Sequence, residues 1–158
     1  MEISREKIEK LGLKLIHTYK NLPIEEFGQR AREFAKRLRV NQTVLFFGEL
    51  GTGKTTFIRR VLEMFGVDRT EVRSPTFNIV NTYTKDGIEY YHMDVYRIEP
   101  QELFELGFFD YQKPNSIVFV EWAEKIVDEI SSPDHIVSLC ISSEDLDKRD
   151  ITIYSKEP

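Results

Sequence analysis

Gly48-Glu49-Leu50-Gly51-Thr52-Gly53-Lys54-Thr55 sets two glycines, a lysine and a hydroxyl residue at the spacing G-x-x-x-x-G-K-[ST]. The chemistry that needs this spacing is the holding of a nucleotide's phosphates. Glycines let the backbone curl until successive N–H groups point inward at phosphate oxygens, in conformations that a Cβ makes costly. A helix starting at the loop turns its positive dipole end to the same place. Lys54 then reaches the β- and γ-phosphates, and the Thr55 hydroxyl binds Mg²⁺. So restrictive a pattern arises by accident in only about half a percent of chains this long. This is a P-loop.

A magnesium ion at such a loop needs a further oxygen ligand, usually an acid at the end of a strand. Glu121 closes a continuous apolar run, where the carboxyl end of a parallel strand faces the ligand, or else is an acid at a helix start stabilised by the dipole. Asp94 ends another strand beside His92 and Arg97, either near the metal and attacking water or as a structural partner of Arg97. Thr76 lies in Ser74-Pro75-Thr76, rigid and hydroxyl-rich enough to meet a γ-phosphate as a switch, or else an ordinary turn. Thr18, at the end of a strand, is a candidate contact for the nucleotide base. Trp122, next to Glu121, is either half-packed over the site or simply part of the core. The single cysteine, Cys140, lies in a strand-like run, forms no internal disulfide, and is read as core.

The elements that must position these residues follow from patterning. Thr43–Phe47 is a short β-branched and apolar run, typical of a buried parallel strand. After the loop, Phe57, Ile58, Val61, Leu62 and Phe65 recur at helical spacing until Gly66. Upstream, Gly12–Tyr19 is an edge strand. A helix capped at Asn21 or a neighbour then runs to Arg39, burying Leu22, Phe27, Ala31, Phe34, Ala35 and Leu38. Downstream, Phe77–Tyr83 and Ile88–Met93 flank the turn Lys85-Asp86-Gly87 as a hairpin. A short helix from Pro100 stops at Gly107, Ser116–Val120 is a buried strand, and a helical segment carries Ile126 and Ile130. Ile136–Ile141 and Ile151–Tyr154 complete the sheet. The expected fold is a single α/β domain over residues 1–158, a three-layer α/β/α P-loop NTPase with a mixed, mostly parallel central sheet.

Composition narrows the class. The chain has 158 residues, 41% hydrophobic and 31% charged, as in a soluble globular domain. Its N-terminus has no apolar stretch of the secretory kind, and no apolar run approaches a membrane span, so a cytoplasmic protein without membrane contact is expected. The net charge of −5 argues against a dominant nucleic-acid surface. Arg30, Arg32, Lys36, Arg37 and Arg39 cluster toward the end of one helix, where they complement its dipole.

In this order, GELGTGKTT, SPTF, HMDVYR, ELGFFDY and VEWAEK resemble the bacterial TsaE (YjeE) family, the ATPase of tRNA threonylcarbamoyladenosine biosynthesis. The likeness covers roughly residues 15 to 155. It implies that Glu49, Leu50, Gly51, Thr52, Gly53, Lys54, Thr55 and Thr56 wrap the phosphates of ATP. It also implies that Thr55 and Glu121 bind Mg²⁺, that Asp94 assists at the metal or water, and that Thr76 sits in a switch. The implied partners are the TsaD and TsaB proteins, whose complex modifies adenosine 37 of tRNAs reading ANN codons, so that tRNA is met indirectly. Ala123 stands where the family often has proline. Two other readings compete: a small P-loop kinase, and a nucleotide-gated binding module without useful turnover. The kinase reading wants a basic lid, and beyond Gly66 the arginines are sparse.

Overall fold

A computed structural model describes residues 3–68, 70–72, 75 and 79–156. In chain order the elements are α1 (Arg5–Lys10), β1 (Lys14–Pro23), α2 (Ile24–Ala35), β2 (Gln42–Phe47), α3 (Lys54–Met64), β3 (Val80–Lys85) and β4 (Ile88–Asp94). There follow α4 (Leu103–Leu106), β5 (Ser116–Glu121), β6 (His135–Ile141) and β7 (Lys148–Ser155), with single 3₁₀ turns between α4 and β6. The seven strands form one sheet in the order β1-β7-β6-β2-β5-β4-β3. β6, β2, β5 and β4 pair in parallel. β7 runs against β6, β1 runs against β7 and β3 runs against β4. Five strands therefore point one way, and the sheet is mixed but mostly parallel.

Alternation along the central strands builds two cores. In β2, Val44 and Phe46 face the side covered by α2 and α3, while Leu45 and Phe47 face the side covered by α1, α4 and the 3₁₀ turns. Strand β5 splits the same way, with Ile117 and Phe119 on the first side and Val118 and Val120 on the second. A strand buried on both faces must read as continuously apolar. That makes the α/β/α layering a consequence of the sequence. Phe57 on α3 anchors the first core, with Phe27, Phe34 and Phe46 all packed around its ring at 5.7–5.8 Å between centroids.

Four local expectations change. Asn21 does not cap α2: it sits inside β1 with φ +53°, at a register shift, and its backbone N–H donates to Asp150 (2.9 Å). The helix begins at Ile24 instead, after extended Pro23. It also ends at Ala35, where three N–H···O bonds of the i→i−3 kind tighten the chain into a turn, though Leu38 remains in the core. The segment carrying Ile126 and Ile130 is two 3₁₀ turns, Ala123–Lys125 and Val127–Glu129, because Ile126 between them leaves the helical region at φ −127° and ψ 9°. Cys140 is exposed, not core: it lies on the same side of β6 as Ile136, beyond the reach of the short second layer. Strand β3 begins at Val80; Phe77 lies outside the described residues.

Candidate nucleotide-binding site

The loop between β2 and α3 stands at the carboxyl end of the parallel strands, where open α/β sheets bind ligands. Two of its glycines have no substitute. A Cβ on Gly48 would meet Thr52 Oγ1 at 2.6 Å and the Leu139 carbonyl at 2.7 Å. Gly53 has φ +102°, and a Cβ there would touch Phe27 at 3.0 Å. Gly53 is also the N-cap of α3, with no capping side chain and no acid in the first turn. Most helices satisfy their first N–H groups from a cap residue. Here no side chain caps them.

Lys54, although charged, is 5% exposed. Its ammonium donates to the Gly48 carbonyl and to the Glu49 carbonyl (3.1 Å), and lies 4.1 Å from the ring centre of Trp122. Burial pulls its pKa below the ordinary lysine value, opposed by Glu121, Glu124, Asp94 and Glu49. Trp122 is itself held in the left-handed region at φ +62°, unusual for a bulky residue. That turn carries the ring from the end of β5 over the loop and against Tyr96, 4.7 Å away.

Glu121 ends β5, buried at 4% exposure. Its Oε2 accepts from the Thr55 hydroxyl at 2.7 Å and pairs with His92 Nε2 at 2.5 Å. His92 Nδ1 is buried with no hydrogen-bond partner. Asp94 is the register neighbour of Glu121 on β4. It is held by the Tyr96 N–H (2.9 Å), and its pKa is raised by burial and by the Glu121 charge. It makes no ion pair with Arg97 among the described residues. Among those residues no three His, Cys, Asp or Glu side chains form a metal cage. The donors present are a hydroxyl and carboxylates, the hard oxygens that Mg²⁺ takes when phosphates and water complete its shell.

These groups line a cavity of about 510 Å³, bounded by the loop, Pro75, Asp94, Arg97, Glu121 and Trp122. A second cavity of about 490 Å³ meets the loop from its other side at Gly51, Gly53 and Thr56, and is floored by Ile24, Phe27 and Gly28. Thr18 lines neither. It is exposed on the edge strand, opposite Thr152 of β7. Thr76 and Ser74 lie outside the described residues. Sequence reasoning did not single out Glu124, which accepts the Gly48 N–H at 3.0 Å across 76 positions of chain. His92 was noticed only as a polar neighbour of Asp94, though its spacing from Glu121 is fixed by the β4–β5 register.

The chain has relatives of known family. The family model for threonylcarbamoyl adenosine biosynthesis protein TsaE matches residues 23–151. A tRNA threonylcarbamoyladenosine biosynthesis protein TsaE of Rickettsia bellii is 36% identical over 126 residues, 79% of this chain and 85% of that one. Its namesake in Rickettsia conorii is 36% identical over 126 residues, covering 79% of this chain and 70% of its own. The one in Bacillus subtilis is 39% identical over 105 residues, 66% of this chain and 64% of its own. The crystal structure of Bacillus subtilis YdiB superimposes with a TM-score of 0.69 at 28% identity, over 92% of this chain and 88% of that one. With a P-loop, a strand-end glutamate bonded to its threonine and a family match across most of its length, the chain belongs to the TsaE family.

Proposed function

We propose that this protein is a Mg²⁺-dependent ATP-binding and hydrolysing component of tRNA threonylcarbamoyladenosine biosynthesis. In this reading it acts with the TsaB and TsaD proteins on adenosine 37 of tRNAs reading ANN codons, and meets tRNA through them. One observation carries the nucleotide half of the reading. The loop, the uncapped start of α3, and the Thr55–Glu121 pair converge on one cavity. The pathway half rests on family membership.

The triphosphate would lie along the loop, with the nucleoside in the second cavity, where Ile24, Phe27 and Gly28 stand beside the charged Glu25, Arg32, Arg60 and Arg149. Thr55 and Glu121 would hold Mg²⁺, with Asp94 beside them, and the ion would supply charge stabilisation on the phosphates. Lys54 leaves the Gly48 and Glu49 carbonyls for the β- and γ-phosphates, and the loop amides stabilise charge developing on the γ-phosphoryl group. Asp94, its pKa raised by burial, lines the same cavity as Glu121 and would assist at the metal or the attacking water.

The test is ATP hydrolysis by the purified protein, alone and with TsaB, TsaD and tRNA, for wild type and Lys54→Ala. Turnover that needs Mg²⁺, rises with the partners and falls at least tenfold in the variant is expected. Full activity in Lys54→Ala sinks the site, and indifference to the partners sinks the pathway assignment.

A further inference from the structure

The four residues Glu121-Trp122-Ala123-Glu124 touch the phosphate-binding loop at three separate points. Glu121 takes the Thr55 hydroxyl, Trp122 covers the Lys54 ammonium, and Glu124 Oε2 takes the N–H of Gly48, the first loop residue. The left-handed turn at Trp122 and the full burial of Ala123 in the second core aim Glu124 back at the loop. Its other oxygen, Oε1, is buried with no hydrogen-bond partner. Burying part of a carboxylate unsatisfied costs stability. Burial accordingly raises the Glu124 pKa, against the pull of its backbone hydrogen bonds and of Lys54. A surface glutamate would incur no such cost, so this one is held in place by what it does to the loop.

From this geometry we infer that Glu124 is a positioning residue: through the Gly48 N–H it fixes the entry of the loop and thereby sets nucleotide affinity. Gly48 is the hinge on which that matters. Its N–H is held by Glu124 and its carbonyl by Lys54, and Thr52 and the Leu139 carbonyl leave no room for a Cβ on it. When a nucleotide draws Lys54 off that carbonyl, the Glu124 bond still tethers Gly48 through its N–H. Losing it lets the loop's amides fall out of line before the phosphates arrive, a penalty on binding. The penalty does not fall on the reacting atoms, which Glu124 does not touch.

The inference rests on the reading of the loop as a nucleotide site. The experiment measures the Kd of a fluorescent ADP analogue, with KM and kcat for ATP, in wild type and in Glu124→Ala, Glu124→Asp and Glu124→Gln. Exchange of the Gly48 amide proton is followed by NMR in the nucleotide-free proteins. Glu124→Ala is expected to raise Kd and KM about tenfold, the worth of one hydrogen bond to a charged acceptor, with the change concentrated there and not in kcat. Glu124→Asp keeps the charge but falls short of Gly48, and should behave like Glu124→Ala; it serves if the alanine variant does not fold. Glu124→Gln keeps an acceptor oxygen at the same reach and should return Kd to within about threefold of wild type. Gly48 exchange should quicken in the Ala and Asp variants only. An unchanged Kd in Glu124→Asp, or a glutamine variant as weak as the alanine one, overturns the assignment. If wild type itself binds no nucleotide, it is the nucleotide reading that fails.

Discussion

Replacing Thr55 by valine isolates one hydrogen bond at the centre of the site. The two side chains share a shape and differ little in helix propensity, so α3 should form unchanged. What disappears is one of the two donors on Glu121 Oε2, leaving His92 alone on a carboxylate that is 4% exposed. A hydrogen bond to a charged acceptor is worth roughly 1.5–3 kcal/mol, and with a second donor in place the lower part of that range applies, about 2 kcal/mol. For a domain of this size each kcal/mol moves Tm by about 2–4 °C, so thermal unfolding in EDTA without nucleotide should fall by about 4–8 °C. Thr55→Ser, which keeps the hydroxyl, should lose less than half of that. The EDTA condition separates the bond from any metal effect. A second titration, of nucleotide affinity against Mg²⁺ concentration, should then show the magnesium dependence lost in Thr55→Val and kept in Thr55→Ser. Equal melting temperatures for wild type and Thr55→Val in EDTA would refute the Thr55–Glu121 bond. A double-mutant cycle with Glu121→Gln that shows no coupling would say the same.

Two further outcomes follow from the same coordinates. Gly53→Ala forces a Cβ into the left-handed region against Phe27 and should weaken nucleotide binding while costing about 1–2 kcal/mol in urea unfolding; an unaltered urea midpoint would show that the loop does not need this conformation. His135, 4% exposed between Gln42 and Ser155, has its pKa lowered from 6.5 to about 4 by burial, with Arg37 and Lys156 adding to it. The unfolded chain therefore binds a proton that the folded one refuses, and stability should drop by about 3 kcal/mol as pH falls from 6.5 to 4. Asp94 and Glu124, raised by burial, act in the opposite sense, so the measurement is the difference between wild type and His135→Gln across that window; parallel curves would refute it.

How much of this was legible in the sequence depends on the reach of each interaction. The loop, the strand before it and the helix after it are contiguous, and their spacing carries the chemistry directly. Glu121 was legible because a buried parallel strand announces itself by an unbroken apolar run, and the first acid after it must stand at the ligand end. Glu124 and His92 were not, because their partners are 76 and 29 positions away. Only the register that puts Asp94 opposite Glu121, and so His92 opposite Phe119, brings the imidazole to the carboxylate. The helix ends failed for a different reason. Hydrophobic periodicity reports which residues are buried, and Leu38 is buried although the helix stops at Ala35. Periodicity is silent on whether a buried side chain hangs from helix or from turn.

The same limit explains the segment after Glu121. Its apolar residues Ala123, Ile126 and Ile130 do pack in the second core, as a helix would place them. Yet the left-handed turn at Trp122 breaks the helix before it can start. A regular helix there would carry Trp122 and Glu124 away from the loop in fixed steps of about 100° per residue. Two 3₁₀ turns keep the apolar contacts and free both side chains to meet Lys54 and Gly48. Backbone irregularity at this point is therefore the means by which one strand end meets the Thr55 hydroxyl, the lysine and the loop entry together, and a sequence pattern built on regular periods has no way to express it.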